Sequence, residues 1–219
     1  MVTAIFYVLR TGVPWRDLPP TFGPWSSVYT RFRRWCASGL FARMLALAAQ
    51  DEEGELRHID CSHIKLHQHG SNPCGGQATQ AIGRTKGGIN TKLAAIVDSR
   101  GRAVALAVVA GQRHDLHAVE PLLPCLRGYR AVADKGFDAD SFRARLCQQR
   151  TRVCIPPKRT RRTLVAFHRG FYRRRHRVEN FFCRIKRYRR VSTRYDKLAA
   201  TFLAFVQLAA VLDWLTHRF

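Results

Sequence analysis

The sequence predicts an α/β fold, in which a mixed sheet is flanked by helices and preceded by a small N-terminal helical region. Residues 1–52 carry aromatic and arginine side chains at near-helical spacing, and this stretch ends in a short acidic hinge. From residue 53 onward, short apolar runs typical of strands alternate with longer segments of helical period. A tight turn joins two of these runs, so antiparallel as well as parallel neighbours are expected. We therefore expect two domains, residues 1–52 and residues 53–219.

The second domain begins with a strand and a hairpin. Residues 56–61 are predicted to form a short strand that ends near Asp60. The Gly-, His- and Gln-rich residues 63–90 are predicted to form a loop. Residues 92–97 and 103–109 are largely apolar, and the Asp-Ser-Arg-Gly sequence between them predicts the turn of a hairpin.

Helices and strands then alternate. Residues 114–126 and 138–149 have helical spacing, and Asp115 and Asp138 are most simply their caps. The apolar run between these helices, residues 131–134, is predicted to be a buried strand that ends on a carboxylate. A fifth strand, residues 153–155, is stopped by two prolines.

Two longer helices are expected in the last fifty residues. The first, residues 171–189, is strongly basic. The second, residues 199–216, is apolar but contains Gln207 and Asp213, so its apolar run falls short of a membrane span. We interpret it as a helix of the protein core.

Charge is the strongest compositional signal. The 38 lysines and arginines oppose 15 acids, which gives a formal net charge of +23 and an isoelectric point near 11.0. Such an excess repels itself and favours a polyanionic partner, and nucleic acid is the first candidate because neutralised phosphates release counterions. An anionic membrane surface is the alternative, but the basic residues are interleaved with aromatic ones rather than collected in a tail. Seven scattered cysteines without a CxxC pair suit a reducing cytoplasm.

Two aspartates end predicted strands. Asp60 closes the sequence Leu-Arg-His-Ile-Asp, and Asp134 closes Ala-Val-Ala-Asp. Metal-dependent cleavage of a phosphodiester needs two or three acids that converge from separate elements, and strand ends hold such acids firmly. The alternative for each aspartate alone is a turn or a helix cap.

Glu179 is the most informative acid. Residues 150–194 contain seventeen lysines or arginines, and Glu179 is their one acid. On a single helix, Tyr172, Arg175, Glu179 and Lys186 fall within a stripe of about 60° beside the apolar sector, so the glutamate borders a crevice. The alternative is an intrahelical ion pair, for which Arg175 and His176 lie one turn back.

These residues resemble a known signature. Tyr172, Arg175, Glu179 and Lys186 are spaced like the Tyr-Arg-Glu-Lys signature of DDE transposases from bacterial insertion sequences. The resemblance covers nearly the whole chain. It includes Val-Pro-Trp-Arg-Asp-Leu-Pro-Pro at 13–20, Phe-Gly-Pro-Trp at 22–25, Ile-Gly-Arg at 82–84, Gly-Gln-Arg-His-Asp at 111–115, Ala-Asp-Lys-Gly-Phe-Asp at 133–138 and Thr-Arg-Tyr-Asp-Lys at 193–197.

The resemblance implies a ribonuclease-H-like catalytic core. Asp60, Asp134 and Glu179 would then ligate two Mg²⁺ ions, with Mn²⁺ able to substitute. The implied reaction is cleavage of double-stranded DNA at the ends of the element, followed by transfer of the freed 3′-hydroxyl into target DNA. Lys186 and Arg175 would grip the terminal phosphates, and Tyr172 would pack near the DNA end. A homodimer or higher synaptic assembly at the bacterial nucleoid, in the cytoplasm and without membrane attachment, is the expected setting.

The N-terminal region is expected to bind the element's ends. Arg31, Arg33 and Arg34 lie on the predicted exposed side of an aromatic helix, which favours a DNA-binding role, although an ordinary amphipathic helix fits equally. Relatives in the family usually carry further helical sequence before the point that Met1 matches, so we expect the region to be shortened at its start.

Three other interpretations remain open. A histidine- and cysteine-containing segment, residues 58–74, allows a zinc site, although its spacing does not favour one. A nuclease that cuts without joining would use the same acids. A DNA-binding remnant without activity would need only the positive charge.

Overall fold

The computed structural model describes residues 1–52, 54–163 and 165–216. Its N-terminal region consists of helices α1 (Val2–Thr11), α2 (Trp25–Ala37) and α3 (Leu40–Ala48). Phe32 of α2 stacks on Phe205 at 4.5 Å between ring centroids, and Trp15 packs against both rings. The first fifty residues therefore share a hydrophobic core with the C-terminal part of the chain. The proposed domain boundary at residue 53 lies outside the described residues.

A mixed sheet forms the centre of the molecule. Over the described residues it has seven strands: β1 (Leu56–Leu66), β2 (Gly83–Thr85), β3 (Gly88–Val97), β4 (Ala103–Ala110), β5 (Arg130–Val132), β6 (Arg152–Cys154) and β7 (Thr193–Arg194).

Strand β1 is the centre of this sheet. It pairs antiparallel with β3 along eight residues and parallel with β5, which in turn pairs parallel with β6. Strand β4 continues the sheet beyond β3, and the predicted hairpin of β3 and β4 is confirmed. The parallel register aligns His58 with Val132 and Val132 with Cys154, so β1, β5 and β6 run side by side in the same direction.

Helices cover both faces of the sheet. These are α4 (Asp115–Ala118), α5 (Asp140–Gln148), α6 (Arg169–Arg173), α7 (His176–Ile185), α8 (Arg189–Ser192) and α9 (Ala199–Thr216), with a 3₁₀ helix over Glu120–Leu126. Helices α1–α3, α7 and α9 pack on one face, where Ile64 is buried among them. The 3₁₀ helix and α5 pack on the other face, where Ile59 is buried. The alternation of Ile59 and Ile64 follows from the two-residue period of a strand.

Three predicted elements differ from the structure. The predicted helix over residues 114–126 is a short α helix followed by a 3₁₀ helix, because Pro121 and Pro124 remove backbone donors. The predicted loop over residues 63–90 was wrong at both ends, since β1 continues through Leu66 and β2 and the start of β3 lie within its last eight residues. The predicted helix over residues 171–189 is divided into α6, α7 and α8, so the proposed single stripe of signature residues was wrong.

Helix α9 passes through the core. By length and composition it is apolar enough to cross a membrane, but eleven of its eighteen residues are buried inside the protein. Asp213, buried within it, accepts hydrogen bonds from Arg184 of α7 at 2.7 and 2.9 Å. A buried carboxylate with an arginine partner fits a helix that packs against its own chain, as predicted.

Candidate catalytic site

Asp60 lies in the middle of β1 on the face that α7 covers. Ser62, two residues further, faces the same way, as alternation along a strand requires, and contacts Lys186, the residue that follows α7. The Asp60 side chain is about one-fifth exposed, and its Oδ1 accepts a hydrogen bond from the backbone N–H of Cys61 at 2.8 Å. The strand therefore holds this carboxylate firmly at the edge of the core.

Asp134 lies beside Asp60 across the sheet. The last registered pair of β1 and β5 is His58 with Val132, and each aspartate follows its member of that pair by two residues. Adjacent strands are about 4.8 Å apart, so continuing this register places the two aspartates at one level of neighbouring strands. Ala133 packs into the core of the opposite face, and alternation therefore turns Asp134 towards the face of Asp60.

The local structure also fixes the Asp134 side chain. Its Oδ1 accepts a hydrogen bond from the backbone N–H of Gly136 at 2.8 Å, as the cap of a 3₁₀ turn over Lys135–Phe137. A Cβ on residue 136 would lie 2.9 Å from that same oxygen, so glycine is required there for the aspartate to keep this position.

Glu179 lies in the first turn of α7. Val178, Phe181, Phe182 and Ile185 bury the inner side of this helix, and Glu179 is at its margin with half of its side chain exposed. The sequence predicted this placement between a buried and an exposed face.

One guanidinium joins two of the three acids. Arg175 Nη1 lies 3.0 Å from Asp60 Oδ2, and Arg175 Nη2 pairs with Glu179 Oε1 one helical turn on. The predicted intrahelical ion pair is therefore present, and Arg175 extends it to the central strand. Burial raises the pKa of Asp60, and the charges of Asp134 and Glu179 raise it further, while Cys61 N–H and Arg175 oppose the shift. The other two carboxylates thus lie close enough to Asp60 to disfavour its charged form.

The two remaining signature residues lie nearby. Lys186 Nζ donates to Ser62 Oγ at 2.6 Å, and burial lowers the pKa of its ammonium group. Tyr172 is half-buried on α6 and packs against the small cluster that contains Leu56 and Val132. Although the predicted helix is divided, all four signature residues lie on the same side of the sheet.

The donor set suits a hard divalent cation, but its present arrangement is that of an ion pair. Carboxylate oxygens are the ligands that Mg²⁺ prefers. Among the described residues, no three or more acids, histidines or cysteines are arranged to hold a metal ion. Between Asp60 and Glu179, the Arg175 guanidinium supplies the positive charge that a metal would bring. This finding also gives no support to the zinc alternative, since His67 and His69 pack against each other and His63 contacts Asn90.

The N-terminal arginines lie on a separate element. Arg31, Arg33 and Arg34 are exposed on α2, whose opposite side buries Val28 and Phe32. Arg33 also donates to the hydroxyl of Tyr29 at 3.2 Å. The structure leaves these guanidinium groups accessible but does not bring them into contact with the acids.

Two other aspartates differ from their predicted roles. Asp115 and Asp138 were interpreted as helix caps, but the capping residues are His114 and Ala139. Asp115 instead pairs with buried Lys92 at 2.6 Å. Asp138 is buried and pairs with two arginines, which sequence spacing does not reveal because one of them lies 23 residues away. The aspartate of the hairpin turn, Asp98, does accept the predicted turn hydrogen bonds.

Comparison with known proteins decides the family. Residues 52–214 match the family model described as a transposase DDE domain, and residues 1–45 match one described as a putative transposase of the IS4/5 family. The chain belongs to the DDE transposase family. The predicted resemblance to insertion-sequence transposases is confirmed at this level.

Curated relatives agree with this family. Over 129 residues this DDE transposase is 33% identical to a putative transposase for insertion sequence element IS6501 of Brucella ovis, a match covering 58% of the chain and 99% of the relative. Over 66 residues it is 36% identical to an uncharacterized protein, y4sN, of Sinorhizobium fredii, covering 30% of the chain and 53% of that protein. No solved structure matches.

Proposed function

We propose that this transposase cuts double-stranded DNA at the ends of an insertion sequence and joins the cut ends to target DNA, using metal ions held by Asp60, Asp134 and Glu179. One observation carries the proposal. The register of the parallel strands β1 and β5, continued by two residues, puts Asp60 and Asp134 at one level and on one face, and Glu179 is linked to Asp60 through Arg175. This is the convergence of acids from separate elements that metal-dependent phosphodiester chemistry needs. A ribonuclease-H-like core and the Tyr-Arg-Glu-Lys branch of the family belong to the same proposal.

The three carboxylates fit two Mg²⁺ ions, with Mn²⁺ as a substitute. When bound, the ions supply Lewis-acid stabilisation of the attacking and leaving oxygens of an in-line displacement. Asp60 and Asp134 are held by a strand and a capped turn, and Glu179 by the first turn of a helix with a buried apolar side. Each acid therefore keeps its position without help from the substrate, which limits the reorganisation needed for catalysis.

The signature cations would position the DNA. Arg175 neutralises Asp60 and Glu179 in the present structure, and its guanidinium would be available for a DNA phosphate if these acids held a metal ion. A guanidinium matches the two oxygens of a phosphate, so this exchange conserves its pairing. Lys186 contacts Ser62, which lies two residues beyond Asp60 on β1. A second phosphate of the same DNA strand fits there. Tyr172 would pack beside the DNA end.

The exposed arginines of α2 would add sequence-independent contacts to the element's end. Such contacts set affinity and orientation rather than base preference. Because an element has two ends and each chain carries one set of the three acids, we propose that at least two chains act together on the bacterial nucleoid.

Asp134→Asn tests the proposal. Loss of a metal ligand should reduce cleavage of an end-containing duplex by at least ~10²-fold, since mutating even a residue that only hydrogen-bonds a ligand lowers metal affinity or activity about 10–100-fold. Duplex binding should persist or strengthen, because a negative charge is removed beside phosphate. Glu55→Gln removes an equal charge from an exposed surface pair with Arg152 and should leave cleavage unchanged.

The products separate the rival functions. Strand-transfer products from the parent protein support a transposase, and cut ends without joined products indicate a nuclease. A protein that binds duplex DNA but cleaves none with Mg²⁺ or Mn²⁺ is a binding remnant. Cleavage at the parent rate by Asp134→Asn would refute the assignment of the acids.

A further inference from the structure

Asp138 lies four residues beyond Asp134 and plays no part in the proposed chemistry. The 3₁₀ turn over Lys135–Phe137 separates the two aspartates, and Phe137 buries this turn in the core. The Asp138 side chain is only 1% exposed. A buried carboxylate is unfavourable unless charged or hydrogen-bonded partners surround it, so its partners indicate its purpose.

Those partners come from two other segments. Arg143 Nε of α5 donates to Oδ1 at 2.7 Å. Arg161 Nε donates to both carboxylate oxygens at 2.9 and 3.1 Å, and the backbone N–H of Lys158 donates to Oδ2 at 2.8 Å. Burial alone would raise the pKa of Asp138, but these donors hold it far below its ordinary value. Two of the three donors belong to one short loop.

That loop, residues 158–163, follows β6 and contains four cations in six residues. Lys158 and Arg161 are half-buried at the anchor, and Arg161 also pairs with Asp140 at 2.6 Å. Arg159 and Arg162 are exposed. A cleft of about 380 Å³ opens between the loop and the start of α5. Four like charges in six residues repel one another, and Asp138, with three donors and almost no exposure, is the main buried partner that holds this loop compact.

The loop begins at the same edge of the sheet as the catalytic acids. The register of β5 and β6 aligns Val132 with Cys154, so Pro156 lies at the level of Asp134 and Asp60. Two strand spacings, about 10 Å, separate the line of β6 from that of β1. This distance corresponds to roughly three base pairs of duplex rise. A duplex whose cleaved bond lies at Asp60 and Asp134, and whose axis crosses the strands in this direction, would run past the loop.

We propose that Asp138 is a positioning residue that folds residues 158–163 into a phosphate-binding loop, so that Arg159 and Arg162 contact the DNA backbone a few base pairs from the cleaved bond. The inference rests on the proposed function only for the identity of its ligand as duplex DNA. It predicts that removing this acid changes DNA affinity in the direction opposite to that expected from net charge. Removing an acid from a chain of net charge +23 should normally strengthen DNA binding, whereas removing Asp138 should weaken it because two cations lose their position.

The test is a double-mutant cycle on duplex binding, measured in EDTA across a series of salt concentrations. Arg159→Gln with Arg162→Gln, two exposed changes, should lower the slope of log affinity against log salt by about 1.8, or 0.9 for each lost phosphate contact. Asp138→Asn should weaken binding several-fold by itself and have no further effect in the Arg159→Gln/Arg162→Gln background. Glu55→Gln, the charge control, should bind equally or more tightly.

Trypsin digestion and thermal unfolding accompany the cycle. Asp138→Asn should speed cleavage within residues 158–163, and Arg159→Gln/Arg162→Gln should not change the unfolding temperature. Should Asp138→Asn fail to fold, Arg161→Gln removes the side-chain donor on the loop side of the anchor and leaves the pair of Asp138 with Arg143 intact, with the same expected losses.

Three results would overturn the inference: an unchanged salt slope after the two arginine changes, tighter binding by Asp138→Asn, or fully additive losses in the cycle. Because EDTA removes cleavage from the measurement, these results are independent of the Asp134→Asn experiment. If the Asp134→Asn experiment refuted the proposed catalytic acids, the binding cycle could still be interpreted. If the binding cycle refuted the role of Asp138, the cleavage experiment could still be interpreted.

Discussion

The guanidinium of Arg175 lies 3.0 Å from the carboxylate of Asp60, although 115 residues separate them in the chain. The same guanidinium pairs with Glu179. It therefore occupies the position between two acids that a divalent cation would need, and it neutralises charges that otherwise repel. If Asp60 and Glu179 are metal ligands, as proposed, metal binding and the Arg175 ion pairs compete for the same carboxylates.

This competition predicts the behaviour of Arg175→Gln. Removing the guanidinium frees Asp60 and Glu179, so the protein without DNA should bind Mn²⁺ several-fold more tightly, while binding of the DNA end weakens because a phosphate contact is lost. Calorimetric titration with Mn²⁺ and duplex-binding measurements check the two halves. Arg173→Gln, a change at an exposed arginine of α6, should leave Mn²⁺ affinity unaltered. Weaker Mn²⁺ binding by Arg175→Gln would show that the arginine organises the acids instead of competing for them.

Asp60 should make stability depend on pH. Its pKa is raised by burial and by the nearby acids above the ordinary value of 3.8, so the folded protein binds this proton more tightly than the unfolded chain. Stability contributed at this site is present when Asp60 is protonated and is lost as pH rises through its raised pKa. Asp60→Asn should therefore unfold at a higher temperature than the parent at pH 7, and the difference should disappear as pH falls to 3.8 and below.

Thermal unfolding scans across pH measure this effect. Glu55→Gln serves as the control, because its exposed ion pair should contribute little at any pH. A lower unfolding temperature for Asp60→Asn at pH 7 would mean that the pair with Arg175 outweighs burial and repulsion.

The N-terminal helices should unfold together with the rest of the chain. Phe32 is fully buried and stacks on Phe205 of α9, so Phe32→Ala should cost about 3–5 kcal/mol and shift one cooperative transition. Leu47→Ala, at a side chain that is 63% exposed, should change stability by less than about 0.5 kcal/mol. Denaturant titration followed by circular dichroism and by tryptophan fluorescence checks both. Two separate transitions in the parent protein would instead show that residues 1–52 fold as an independent unit.

Much of the sheet and the positions of the acids followed from local sequence pattern. The strands that lead to Asp60 and Asp134, the β3–β4 hairpin and the core helix α9 carry apolar periods and turn residues that a single sequence displays, but the predicted strand end at Asp60 was wrong because β1 continues to Leu66. Glu179 was informative because it is the one acid in a long basic stretch. These signals are local, and the structure places the residues accordingly.

The missed features depend on contacts between distant segments. The extension of β1 through Leu66 requires pairing with β3 and β7, and its polar residues gave no apolar pattern. The bridge from Arg175 to Asp60 and the anchor at Asp138 join residues that are far apart in sequence. Asp138 and Asp115 resembled helix caps, because an aspartate before a helical period has the same local pattern whether it caps the helix or pairs elsewhere.

The most direct test locates the metal ions. A crystal of the protein with an end-containing duplex and Mn²⁺, examined by anomalous scattering, should show two Mn²⁺ ions per chain within bonding distance of Asp60, Asp134 and Glu179, with Arg175 turned away from the acids. Asp134→Asn should lose at least one of these ions. Anomalous peaks elsewhere, or an Arg175 guanidinium still bridging Asp60 and Glu179 beside bound DNA and Mn²⁺, would contradict the account.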